Sequence, residues 1–457
     1  MTRSDSSKSE LQQGSDARLI VKTDGSGEPE HTLYSTPLSS DYAMTDAEYA
    51  SALDVERLND EQDVSVYIHL PFCPSRCLTC DHQTTVTHDS RQIDLYLDTI
   101  EKEMDLVTAH AGNGRRLQQL HLGGGTPNYL SEVQLVRLVE IIDRHFIIDD
   151  NTETSLEANA HRASVSQLSL LHGLGFRGLN LEVRDLDPHV QELLGRHQSA
   201  SVIRDVVDNA RSIGFNTVSM DLVYGLPQQT PSTIKGTVAR LLTLDPDRVS
   251  CYTYRRRPER FQHQRAIDER DMPSLADKVS IFSRVVDGLS EAGYDWIGLD
   301  CFAKPADRIS VAQRAGTLRR NSIGYTAQSG RRVIGFGSSS SSDLSTIAVR
   351  NHNGIEHWRG CIDRGELPVS RGQALSAHLR AKRHALSDLM CNLKLHDFDE
   401  ILANDEEGES AIGSLERDGL VEISGRHVQV TEQGRYALHQ LWGDASPSYR
   451  WNPLAGF

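Results

Sequence analysis

From Val64 to about Asp300 the chain repeats one unit at least six times: a short apolar run, a turn, then a segment of helical periodicity. The runs are Val64–Leu70, Leu117–Leu122, Thr154–Ala158, Gly178–Val183, Thr217–Tyr224 and Val249–Tyr254. The periodicity predicts helices at Arg91–His110, Ser131–Phe146, Val165–Leu174, Ser201–Ile213, Pro231–Leu244 and Leu275–Ala292, with Ser131 as an N-cap. Short strands separated by whole helices pair in parallel through right-handed crossovers. Residues suited to chemistry stand at the C-terminal ends of these strands, which favours a barrel or partial barrel over an open sheet.

After Asp300 the pattern changes. Ala303–Ser345 is rich in Gly, Ser and Arg, includes the serine run Ser338–Ser342, and reads as extended loop and edge structure. A helix-rich stretch is expected from Ser376 to about Asp418, then a hairpin of Leu420–Ile423 and His427–Thr431, then a helix over Glu432–Leu441. The expected division is a disordered polar tail (1–33), an N-terminal arm (34–62), a barrel (63–302), an extension completing the active site (303–375) and a helical, winged-helix-like domain (376–457).

The 457 residues carry a formal net charge of −16, which argues against non-specific nucleic-acid binding. No apolar run approaches the length of a membrane span. The polar N-terminus lacks a signal core, and a cytoplasmic protein without a membrane partner is expected. One basic cluster stands out, Arg255-Arg256-Arg257 with Arg260 and Arg265. It suits either an anionic substrate bearing several carboxylates or a solvated loop.

Three of the seven cysteines lie together as Cys73-x3-Cys77-x2-Cys80, directly after the first strand. An odd set cannot pair within itself. A [4Fe-4S] cluster on three thiolates keeps one iron open, and S-adenosylmethionine (SAM) can chelate that iron through its amino and carboxylate groups. The alternative is a zinc knuckle or three unrelated cysteines, although zinc sites usually have four protein ligands. Cys251, Cys301, Cys361 and Cys391 sit among apolar neighbours and are expected to be buried. The second strand ends in Gly123-Gly124-Gly125-Thr126, where a ligand can approach bare backbone. Glu157 ends the third strand, and the fifth carries Asp221. Carboxylates there require positive or hydrogen-bonding company, from a SAM sulfonium and amine or from helix N-termini, Arg184 and Arg196.

These motifs resemble a known family. Tyr67-Ile-His-Leu-Pro-Phe-Cys73-x3-Cys77-x2-Cys80 with Leu122-Gly-Gly-Gly-Thr-Pro127 is similar to the radical SAM superfamily. Met220–Pro231, Arg320–Thr326, Met390–Leu395, Asp418–Val421 and Tyr34-Ser-Thr-Pro37 resemble the oxygen-independent coproporphyrinogen III oxidases. The resemblance implies a partial (β/α)6 barrel with a small C-terminal domain and a [4Fe-4S] cluster on Cys73, Cys77 and Cys80. It implies reductive cleavage of SAM to a 5′-deoxyadenosyl radical, which abstracts a propionate hydrogen of coproporphyrinogen III. Oxidative decarboxylation to protoporphyrinogen IX, a step of haem biosynthesis, would follow. By motif position, Tyr67, Gly124, Gly125, Thr126, Glu157, Arg196 and Asp221 would hold the cluster-bound SAM, and Val223 and Tyr252 would lie near a second. A flavodoxin or ferredoxin electron donor and a monomeric state are also implied.

The chain departs from the family at several points. Thr79 replaces an aromatic residue, and Asp81-His82 replaces Gly-Cys. Arg184 stands where the family has a glutamine, Ile323 replaces another glutamine, and Ser341 replaces an apolar residue. Arg184 is counted among the cofactor-binding candidates, pairing with a ligand carboxylate or simply with Glu182 or Asp185. His82 reads first as a surface histidine and otherwise as an acid, a base or a fourth cluster ligand. Because these changes fall around the second SAM and the substrate, two other readings stand beside the oxidase. One is a paralogue transferring methyl or methylene groups; the other is a haem-binding, chaperone-like protein.

Overall fold

The structure, a computed structural model, describes residues 43–58, 64–396, 415–436 and 438. The expected polar tail, Tyr34–Pro37 and parts of the expected C-terminal helices lie outside the described residues.

Six parallel strands follow one another in sequence order: β1 (Val64–Leu70), β2 (Arg115–Gly124), β3 (Glu153–Ala158), β4 (Gly178–Arg184), β5 (Thr217–Tyr224) and β6 (Arg248–Thr253). Helix α1 (Asp46–Leu58) precedes them. Between them run α2 (Ser90–Ala111), α3 (Glu132–His145), α4 (Val165–Gly173), α5 (Pro188–Leu194), α6 (Ala200–Ile213) and α7 (Pro231–Leu244); α8 (Leu275–Glu291) follows β6. Each boundary has a local cause. Ser131 caps α3 in a capping box with Gln134, Ser199 caps α6, and Thr230 caps α7 ahead of Pro231.

The six strands do not close on themselves. β6 takes β8 (Cys301–Ala303), itself paired with β7 (Asp295–Gly298), while β1 takes β9 (Val333–Phe336) in parallel. Strands β10 (Ser341–Asp343), β11 (Ile347–Asn351) and β12 (Val369–Ala374) continue antiparallel from β9. The result is a partial (β/α)6 barrel extended at both edges. The segment after residue 303, expected as extended loop and edge structure, therefore supplies the neighbour of β1 within the same sheet. It also contains α9 (Arg308–Ala315), which the loop expectation missed although Asp307 caps its start and Gly316 ends it in the left-handed region. Helix α10 (Ile355–Asp363) joins β11 to β12.

Burial alternates along β3 to β6. Leu156, Leu179, Leu181, Val218, Met220, Leu222, Val249 and Cys251 are buried in the main core, which also takes Ile203, Val207, Ile234, Leu241, Ile281 and Val285 from the helices. The intervening Ser155, Glu157, Asn180, Glu182, Ser219, Asp221, Val223, Ser250 and Tyr252 are half-buried. The pleat thus sends one set outward beneath the helices and leaves a polar inner face.

At the C-terminus α11 (Ala377–Asn392) leads to β13 (Lys394–His396), β14 (Val421–Ser424) and β15 (His427–Val430), ordered β13-β15-β14. The expected hairpin is present. Within the stretch expected to be helix-rich, α11 ends where Leu393 turns left-handed and β13 follows; residues 397–414 lie outside the described residues.

Candidate functional site

The three cysteines lie on the loop after β1, with Cys73 and Cys77 half-buried and Cys80 buried, all as free thiols. The glycines ending β2 seat this loop. Gly125 donates its N–H to the Leu70 carbonyl at 2.8 Å, and Thr126 donates to that of Phe72 at 2.9 Å. A Cβ on Gly125 would come within 2.7 Å of the Phe72 oxygen, and one on Gly124, at φ +108°, within 2.4 Å of the His69 ring. Only glycine admits this approach. Cys73 Sγ lies 3.4 Å from Thr126 Oγ1, and Arg196 donates to Cys77 Sγ at 3.5 Å.

The inner face continues from that loop. Tyr67 stacks on His121 with ring centroids 6.0 Å apart and reaches His69 Nδ1 at 3.2 Å. Glu157 accepts the Gly124 N–H at 3.0 Å, and His121 Nε2 lies 3.6 Å from its other oxygen. Burial works to raise the Glu157 pKa, but His121 and His82 hold it below the usual carboxylate value. Asp221 accepts from Asn180 at 2.7 Å. Burial first, and then the charges of Glu157, Glu182 and Asp300, push its pKa up to about 8 despite that hydrogen bond.

Glu182 joins two arginines. Arg184 donates to it through Nε at 2.6 Å and also through Nη2, and Arg196 pairs with it at 2.9 Å. Together the two cations outweigh burial and hold Glu182 down to about 2. Arg184 also donates to Thr79 Oγ1 at 3.1 Å, so two residues singled out in the sequence touch each other. A bulge after Glu182 and a left-handed φ of +66° at Arg184 turn the side chain toward the cysteine loop.

The structure gathers Tyr67, Gly124, Gly125, Thr126, Glu157, Arg184, Arg196 and Asp221 around the cysteine loop and inner face, and it pairs Val223 with Tyr252 across β5 and β6. Arg184 and Arg196 serve Glu182, and not Glu157 or Asp221 as the structural alternative had it. Arg184 does not take Asp185, which accepts from Gln229 and Thr237. His82 is exposed beside Asp81 at 3.6 Å. Sequence reasoning gave no site role to Asn180, Glu182 and His121, naming Glu182 only as a partner of Arg184, a pairing the structure bears out. The period-2 polar pattern of Asn180 and Glu182 between Leu179, Leu181 and Val183 would have marked the first two.

The donor set fits a cluster with bound SAM. Three unpaired thiols share one loop. Asp221 Oδ1 and Asn180 Oδ1 are buried on the inner face with no hydrogen-bond donor among the described residues, ready to accept from an ammonium or a hydroxyl.

Residues 67–241 match the model of the radical SAM superfamily. The oxygen-independent coproporphyrinogen III oxidase of Salmonella typhimurium is 34% identical over 95% of both chains. That of Escherichia coli K12 is 34% identical over 93% of this chain and 94% of its own. The solved coproporphyrinogen III oxidase of Escherichia coli, titled a radical SAM enzyme, superposes with a TM-score of 0.84 at 32% identity, covering 91% of this chain and 96% of that one.

Proposed function

The chain belongs to the oxygen-independent coproporphyrinogen III oxidase family of the radical SAM superfamily, and on that premise we propose that it oxidatively decarboxylates coproporphyrinogen III to protoporphyrinogen IX. The observation that carries the reading is the meeting of three free cysteines with a carboxylate-lined inner face at the C-terminal ends of β1 to β5. Cys73, Cys77 and Cys80 would ligate a [4Fe-4S] cluster. Tyr67, Gly124, Gly125, Thr126, Glu157, Arg196 and Asp221 would hold SAM against it. When bound, this pair supplies a hydrogen-abstracting adenosyl radical. The protein's task is placement. Glu157 and Asp221 offer acceptors to a cationic ligand, Arg196 braces Cys77, and the glycine turn fixes the cysteine loop.

Val223 and Tyr252 stand side by side where a second SAM would lie. By motif position Ile323 replaces a glutamine that would meet a second SAM, and its side chain offers no hydrogen bond, so one SAM is expected. Exposed Ser75 and Arg76 leave one side of the cysteine loop open to a flavodoxin or ferredoxin donor. No described helix is long and apolar enough to cross a membrane. The contact between Thr79 and Arg184 favours one second reading, the same radical chemistry on a different substrate.

Anaerobically reconstituted protein given coproporphyrinogen III, SAM and a reductant should release vinyl product with 5′-deoxyadenosine. A Cys77→Ala variant should lose both the iron and SAM cleavage. Deoxyadenosine without vinyl product would favour the other substrate, and SAM cleavage surviving in Cys77→Ala would overturn the site.

A further inference from the structure

Although the chain is acidic, arginines gather beside the cleft on elements far apart in sequence. Tyr67 pairs with Gly335 across β1 and β9. Val333 pairs with Asp343, and this antiparallel register sets Gly335 opposite Ser341, whose carbonyl oxygen lies 2.3 Å from where a Gly335 Cβ would stand. Ser341 in turn pairs with Arg350, and Arg350 with Arg371. Residues in one row across a sheet share a face. Arg350 and Arg371 therefore stand on the face that carries Tyr67. Three strand steps separate Arg350 from Tyr67, about 14 Å at the usual strand spacing of about 4.8 Å.

A third arginine arrives from another direction. Arg260 lies on the loop after β6, and this loop is pinned to the cysteine loop: His263 and Gln264 meet the Cys80 carbonyl at 2.7 and 3.1 Å. Burial, with Arg257 and Arg371, brings Arg260 down to about 10; burial, with Arg371 and Arg260, does the same to Arg350. Setting like charges opposite each other on neighbouring strands costs stability. A guanidinium fork, however, matches a carboxylate in both charge and shape.

We propose that Arg260, Arg350 and Arg371 form a carboxylate-binding rim that grips the propionates of the porphyrinogen which are not reacting. The inference rests on the substrate reading above and deepens it. A macrocycle with acidic side chains on its periphery would lie across the cleft, one edge at the cysteine loop and the opposite edge on the rim. The rim would select for peripheral carboxylates and set which propionate faces Tyr67 and Cys73.

The test uses reconstituted holoprotein and two fluorescent probes, coproporphyrin III and its tetramethyl ester, with binding read by fluorescence quenching. Wild type should prefer the acid by about tenfold or more, as expected when charge-assisted hydrogen bonds are made only by the acid. That preference should shrink as salt rises. Arg350→Gln and Arg371→Gln should each weaken acid binding by about fivefold or more with the ester unchanged, and Arg350→Lys should restore part of the loss. Should a glutamine variant fail to fold, the acid-to-ester ratio of wild type and its salt dependence still decide. Equal binding of acid and ester, or full acid affinity in folded glutamine variants, overturns the rim. Vinyl product with no effect of these arginines would leave the reaction standing without the rim. Arginine-dependent acid binding with no vinyl product would do the reverse.

Discussion

Arg184 shows how one side chain can reorganise a site. Its Nε and both terminal nitrogens are engaged by Glu182 and Thr79, and its backbone occupies the left-handed region that a side chain rarely adopts. Glutamine would carry the same backbone strain, so Arg184→Gln isolates the side chain. Glu182 keeps Arg196 as a partner in that variant. The expected loss is about 1–3 kcal/mol in chemical denaturation, less than for a buried ion left wholly unpaired. SAM affinity should move less than threefold or so, because Arg184 is committed to protein groups; a larger change would make it a ligand contact. Asp221 offers a second measurement. Its folded pKa of about 8 lies above the ordinary aspartate value, so the protonated carboxyl is the form that its buried surroundings favour. Its contribution to stability is full below about pH 4 and is lost as pH rises toward 8. Without bound SAM, Asp221→Asn should therefore melt progressively above wild type between pH 5 and 8.5. Parallel melting curves across that range would contradict the assignment.

Among the secondary-structure elements, the six strands and the helices between them were legible because pattern and punctuation agreed. Thr217–Tyr224 and Pro231–Leu244 have the expected bounds, and Ser131 is the cap that its position announced. The Gly123–Gly125 turn was legible as a place of close approach, but its immediate partner proves to be the cysteine loop itself. Gly125→Ala would drive a methyl group into Leu70, Pro71 and Phe72 backbone atoms that lie 2.7–2.8 Å from its Cβ. Reconstituted Gly125→Ala should lose most of its iron. Gly236, inside α7 with nothing within 4 Å of its Cβ, supplies the contrast. Gly236→Ala should retain full iron and gain about 0.5–1 kcal/mol in urea denaturation, the usual benefit of alanine in a helix interior. Equal iron in the two variants would mean that the turn does not seat the loop.

Across the whole molecule, long-range pairing was not legible. Nothing local in Val333–Phe336 marks it as the strand beside Val64–Leu70, and the glycines and serines around it read as loop and edge structure because the neighbours that bury them are distant in sequence. The same distance hid Arg350 and Arg371 from the basic cluster recognised after β6. Helix α1 locks this extended edge in place. Tyr49 reaches Ser342 at 2.9 Å, Asp46 accepts the Leu367 N–H at 2.7 Å, and Glu56 accepts the Ser345 N–H at 2.6 Å while pairing with Arg332 at 3.1 Å. The Glu56 side chain is 3% exposed and that of Arg332 12%, so the pair is desolvated on both sides. Glu56→Ala removes one partner of a buried pair and one acceptor of a buried N–H, for an expected loss of about 3 kcal/mol. Lys102 and Asp363 join α2 to α10 at 2.7 Å, but with side chains 57% and 48% exposed. Lys102→Ala should cost no more than about 0.5 kcal/mol. Far-UV circular dichroism and tryptophan fluorescence should report one shared urea midpoint for Glu56→Ala, because the main core runs unbroken from Met44 to Val369 and takes in Trp358. Two separated transitions would instead show that β9 to β12 unfold apart from the barrel, and the edge carrying Arg350 and Arg371 would then be an independent unit laid against it.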